Sequence, residues 1–122
     1  MKTIISASRS VADPKEITEA ILWSGFKPTT VNIGCDEDFA SKGFDREIVK
    51  WAEDRALPVC LYSADWNHHG NGAIHRRNMD MLRHSDCLIA IFDNADKHID
   101  RLLSLARQAG LKTYVHLVED EL

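Results

Sequence analysis

The side chains able to do chemistry are unevenly spread along this chain of 122 residues. In Ser6-Ala7-Ser8-Arg9-Ser10, hydroxyls, backbone N–H groups and a guanidinium follow a short apolar run. That set suits a phosphate or carboxylate cradle at a helix start, and equally a turn closed by serine hydrogen bonds. Asp36-Glu37-Asp38 puts three acids where a phosphate loop would want none; they can hold a divalent metal or face solvent. Asp45 is suited to capping a helix or to hydrogen-bonding a sugar hydroxyl. The richest stretch is Ala64 to His84. There Asp65-Trp66 offers a ring to stack on a base, and a carboxylate to bind ribose or act as an acid or base. Between Asn67 and His84, Arg76, Arg77 and Arg83 stand against a single acid, Asp80. Guanidinium forks match phosphate, so this local positive charge points to an anionic ligand.

Several chemistries are disfavoured. His68, His69, His75 and His84 share the rich stretch but show no i, i+4 pair with a third ligand, so no metal site is expected, nor a resident cofactor. The chain has no G-x-G-x-x-G, no P-loop and no G-x-S-x-G. Cys60 falls within an apolar run and Cys87 opens one, so neither reads as a poised thiolate. Three cysteines, Cys35, Cys60 and Cys87, are an odd number without close pairing. They argue against a disulfide scaffold and for a reduced, cytoplasmic setting. A formal charge of −4, without an aromatic-interleaved basic stripe, disfavours nucleic acid and anionic membranes as partners. The longest apolar run, Cys87 to Phe92, is too short to span a bilayer, and Ile4-Ile5 falls short of a signal peptide's apolar stretch.

The elements that must position these groups alternate along the chain, and the length allows one domain, residues 1–122. Lys2 to Ala7 reads as a strand. Asp13-Pro14 starts a helix in which Ile17, Ala20 and Ile21 share a face, and Gly25 closes it. Thr29 to Ile33 is a second strand, ended by Gly34. A helix from about Phe44 to Arg55 carries Phe44, Ile48, Trp51, Ala52 and Arg55 at helical spacing. Pro58 to Tyr62 is strand three, and Ser63 to Ile74 reads as a long polar loop. A helix near His75 to His84 precedes the strand Cys87 to Phe92. The last helix presents Ile99, Leu102, Leu103 and Ala106 and stops at Gly110, before a strand from Lys112 to Leu117. Five strands interleaved with four helices predict a Rossmann-like, three-layer α/β/α sandwich around a mainly parallel sheet. In such sheets ligands bind beyond the carboxyl ends of the strands. That rule selects the loops Ser6–Ser10, Cys35–Gly43, Ser63–Ile74 and Asp93–Lys97.

The residues also resemble a known family. Ser8-Arg9-Ser10, Gly43-Phe44-Asp45, Trp51-Ala52, Pro58-Val59, Asp86, Ala106 and Gly110-Leu111-Lys112 each contribute. The specific part is the run from Ala64-Asp65-Trp66 through Gly70, Ala73 and Arg77-Asn78 to Met81. From Lys2 to about Val115 the chain resembles the YspA-like branch of the SLOG superfamily, which also holds the LOG phosphoribohydrolases and the DprA/Smf proteins. The resemblance implies a Rossmann-like domain that binds nucleotides or nucleotide derivatives, often as a dimer or higher homo-oligomer. Two glycine-rich anion sites of relatives are altered here: Asp38-Phe39-Ala40 stands where a Gly-Gly pair is common, and His98-Ile99 where Gly-Thr is common. The LOG enzymes' motif with its catalytic glutamate has no counterpart in Phe92 to Asp96.

The expected function is therefore binding, as a sensor or sequestering protein, of a nucleotide-like small anion such as an ADP-ribose-type or nucleoside-monophosphate ligand. The candidate ligand-binding residues are Ser8, Arg9, Ser10, Gly43, Asp45, Asp65, Trp66, Gly70, Arg77 and Asn78. The alternative is an enzyme that hydrolyses or exchanges an N-glycosidic bond, with Asp65 or Asp45 stabilising an oxocarbenium-like state or acting as nucleophile.

Overall fold

A strand that is apolar at every position needs cover on both faces, and Cys87–Phe92 has it: all of its residues are buried. The computed structural model describes residues 1–7, 13–35, 43–64, 70–92 and 97–118, with the side chains of 35, 43–45, 71 and 97 outside that description. In chain order the elements are β1 (Lys2–Ala7), α1 (Lys15–Ser24), β2 (Thr30–Cys35), α2 (Gly43–Asp54) and β3 (Val59–Ser63). A 3-10 turn (Gly70–Gly72) then leads into α3 (Ala73–Arg83), β4 (Cys87–Phe92), α4 (Lys97–Gln108) and β5 (Lys112–Leu117). The strands form one 5-stranded sheet in the order β3-β2-β1-β4-β5, and every pairing is parallel. This is the expected Rossmann-like α/β/α sandwich.

Alternation along the strands divides the core in two. Ile5, Val31, Ile33, Ile89 and Ile91 pack under α1 and α2, against Ile17, Ala20, Ile21, Ile48 and Ala52. Ile4 and Leu88 face the other way, against Met81 and Leu82 of α3 and Leu102, Leu103 and Ala106 of α4. Each such Leu or Ile contributes on the order of 1.5–3 kcal/mol of hydrophobic stabilisation. The helix faces read from periodicity in α1 and α4 are the ones buried.

The ends of α1 follow their local signals. The Asp13 carboxylate accepts the Lys15 N–H at 3.0 Å, and Gly25 takes a left-handed φ of 74° with its N–H on the Leu22 carbonyl. In α2, Arg55 lies just past the helix, with its guanidinium 4.4 Å above the Trp51 ring.

Three boundaries differ from the sequence expectation. First, β2 does not stop before Gly34. It continues through Gly34 and Cys35, paired with Tyr62 and Ser63, and the glycine has a packing purpose described below. Second, β3 is Val59–Ser63 rather than Pro58 to Tyr62. Third, the polar stretch after β3 is shorter than expected, because Gly70–Gly72 already turns and α3 begins at Ala73. The buried face of α3 is Ala73, Asn78, Met81 and Leu82. A polar residue in the middle of that face breaks the apolar period and hides the first helical turn.

Candidate functional site

The strand order fixes where a ligand crevice belongs. From β1 the chain builds outward to β2 and β3, then crosses to the opposite side of β1 for β4 and β5. The order therefore reverses between β1 and β4, and in open parallel sheets the crevice at that switch point, outside the carboxyl ends, is the ligand position. The two strands end level there, with Ser6 beside Ala90 and Ala7 beside Ile91.

Ser8, Arg9 and Ser10 follow directly from Ala7, and Asp65 and Trp66 follow from Ala64, which is buried. All five lie outside the described residues. Gly43 opens α2, and Asp45 is its third residue. Asp45 thus lies inside the first turn and not at the cap position, where an acid favours the positive end of the helix dipole. Gly70 opens the 3-10 turn with a φ of +50°, a backbone conformation that suits glycine and strains other residues.

Arg77 and Asn78 are described in full. Arg77 is half-buried on α3, and its side chain lies across β2. A Cβ added at Gly34 would sit 3.1 Å from both Cζ and Nε of Arg77. Gly34 is therefore the gap in the sheet surface that admits a guanidinium. Asn78 is 3% exposed, and its Oδ1 accepts from Arg77 Nε at 3.3 Å and Nη2 at 3.2 Å. Asn78 holds the guanidinium in place, a positioning role beyond the ligand contact expected of it. Gly34 was legible only as a break in a β-branched run; a glycine between two paired positions is the signal for a close approach.

The three arginines of this stretch are not brought together. Arg76 is exposed. Arg83 lies at the far end of α3, paired with Asp80 at 3.6 Å where both are mostly exposed. Six residues of helix separate it from Arg77, about 9 Å along the axis. The anion signal read from the trio therefore narrows to Arg77.

The run that carries the family resemblance divides in the same way. Ala64, Ala73, Asn78 and Met81 are buried at 1–3% exposure and fix α3 against the sheet, while Arg77 is the member that reaches over β2. Asp86 accepts the Lys2 N–H at 2.8 Å, and its own N–H donates to the Lys2 carbonyl. It ties β4 to β1 at the edge opposite the crevice.

Among the described side chains, cysteine nucleophiles find no support. Burial pushes the Cys87 thiol above its ordinary value, and its sulfur contacts Thr3 Oγ1 at 3.3 Å. Cys60 is exposed on the edge strand β3. A surface depression of about 350 Å³ along α2 is lined by Arg46, Glu47, Val49, Lys50 and Glu53; these residues belong to one helix and mix both charges. No helix of the described residues is long and apolar enough to cross a membrane. Comparison with protein-family models found no match, and comparisons with curated proteins and with solved structures found none either.

Proposed function

We propose that this protein binds a nucleotide-like small anion, of the ADP-ribose or nucleoside-monophosphate type, as a sensing or sequestering protein and a YspA-like member of the SLOG superfamily. The observation that carries the reading is Arg77: a guanidinium bedded on a glycine near the carboxyl end of β2, below the edge where parallel sheets take ligands. A fork held by Asn78 loses little freedom when it meets phosphate. Ser8, Arg9 and Ser10, which continue from β1 at the switch point, complete the anion site with hydroxyls and a second guanidinium. Trp66 supplies a stacking surface, Asp45 and Asp65 address sugar or base, and Gly43 and Gly70 leave room for close backbone approach. Assembly into a homo-oligomer belongs to the same proposal, on the family resemblance.

The test is calorimetry of the untagged protein against AMP and against ADP-ribose, with melting temperatures in parallel. Saturable heat and a rise in melting temperature with at least one of them is expected, weakened about tenfold or more by Arg77→Met. No heat and no shift with either would remove the reading. Release of free base from AMP, lost on Asp65→Asn or Asp45→Asn, would replace it with N-glycosidic cleavage.

A further inference from the structure

A second cluster of chemistry-bearing side chains lies away from Arg77, where α1 packs over β5. Its centre is His116, one residue before the end of β5 and 4% exposed. Its Nε2 lies 2.5 Å from Glu16 Oε2. That is shorter than the roughly 2.7–2.9 Å of an ordinary charge-assisted N–H···O bond. Glu16 and Glu19 are three residues apart on α1, so they share a helix face. One ligand atom each from Glu16, Glu19 and His116 lies within 4.8 Å of the others. The Trp23 ring, tilted at 54° and 5.4 Å from the imidazole, walls the group on another side.

A salt bridge between helix and strand accounts for only two of these three residues. It requires only His116 and Glu16; Glu19 adds a second carboxylate, which repels the first. Glu19 nevertheless converges on the pair while exposed to solvent, where other rotamers were open to it. Among the described residues no lysine or arginine pairs with Glu16 or Glu19. Two carboxylates and a buried imidazole, held by two different elements and with no lysine or arginine paired to them among the described residues, have the chemistry of a ligand set. Imidazole with carboxylate favours zinc over magnesium or calcium, which prefer oxygen throughout. At zinc bonds of about 2.0–2.2 Å tetrahedral donors lie about 3.3–3.6 Å apart, so the His116–Glu16 contact would open and Glu19, with its donor within 4.8 Å of the others, would complete the set, with a fourth position open to water.

We infer that Glu16, Glu19 and His116 form a zinc-binding site that clamps α1 onto β5. The site is independent of the nucleotide reading, as it shares no residue with it. The experiment uses untagged, metal-stripped protein carrying Cys35→Ser and Cys60→Ser, so that thiols do not take the metal. Zinc is titrated by calorimetry and by melting temperature, and cobalt by visible absorption. Expected are a one-to-one zinc isotherm, a melting temperature that rises with zinc and not with magnesium, and cobalt bands of low coordination number. Glu19→Gln, at an exposed position that folding does not depend on, is expected to weaken zinc binding at least about tenfold and to remove the cobalt bands. His116→Gln serves as a second variant, with its fold checked by circular dichroism. Absence of zinc binding overturns the proposal. So does zinc binding that Glu19→Gln leaves unchanged, or a stabilisation that magnesium reproduces.

Discussion

Two places on β2, two residues apart and facing the same helix, are built in opposite ways. At Asn32, toward the amino edge of the sheet, the amide is shut away from solvent and its donor side is committed to structure, while its Oδ1 has no hydrogen-bond partner among the described residues. Asn32 is 1% exposed, and its Nδ2 donates to the His84 carbonyl at 3.2 Å and to Ser85 Oγ at 2.8 Å. Ser85 Oγ in turn donates to the Met81 carbonyl at 2.7 Å. This network ties off the end of α3, whose last carbonyls would otherwise lack partners. At Gly34, toward the carboxyl edge, the strand contributes no side chain and the helix lays a half-buried guanidinium across the gap. Both side chains serve structure, Asn32 at the end of α3 and Arg77 through Asn78; the difference is depth, since Arg77 is only half-buried. A buried polar group in a sheet is thus no sign of a ligand site by itself; what matters is whether it lies within reach of the surface at the edge where ligands enter.

The contrast can be broken most forcefully at Asn32. Replacing it by aspartate places a charge opposite the His84 carbonyl, and a loss of about 3–5 kcal/mol in urea unfolding at neutral pH is expected. Burial raises the pKa of the introduced carboxyl. The variant should therefore approach wild-type stability only below the unfolded value of about 3.9, and lose it as pH rises. At Arg77 the effect is expected in binding instead. Arg77→Met should cost about 1.5–3 kcal/mol of nucleotide affinity, while unfolding stability falls by only about 1–2 kcal/mol, as the buried Asn78 Oδ1 loses its donors. A stability loss as large as that of the Asn32 variant would show that both places are structural.

Smaller effects sharpen the same line. Gly34→Ala pushes a methyl to within about 3.1 Å of the guanidinium. It should weaken nucleotide binding a few-fold by calorimetry, with the fold intact by circular dichroism. Cys87, at the closed edge, supplies the smallest effect. Burial pushes its thiol above the ordinary range of a cysteine. The stability it contributes is full below the unfolded thiol's pKa and is lost as pH rises toward the higher folded value, since the unfolded chain ionises first. Cys87→Ala should flatten the fall in melting temperature above about pH 9.

The fold was legible because its two periods are strong. β4 is apolar throughout, and Ile17, Ala20, Ile21 and Ile99, Leu102, Leu103, Ala106 recur at helical spacing, so sheet and helices follow from burial alone. The candidate site was legible only as a set of residue types. Composition grouped Arg76, Arg77 and Arg83, yet a helix separates by rotation and rise what the sequence places side by side. Arg77 stood out in three dimensions because a glycine on a different element faces it. No local spacing could reveal that pairing, nor the meeting of His116 with Glu16 across 100 residues.

The empty position at Gly34 has a consequence for how the chain can vary. Strand β2 lends the space of its own side chain to a residue on α3, so positions 34 and 77 are one choice made in two places. A methyl at 34 asks the guanidinium to give by a few tenths of an ångström; a larger side chain there would compete with the residue at 77 for the same space. Glycine at 34 and arginine at 77 are thus a coupled pair, to be read together wherever this sheet and helix recur.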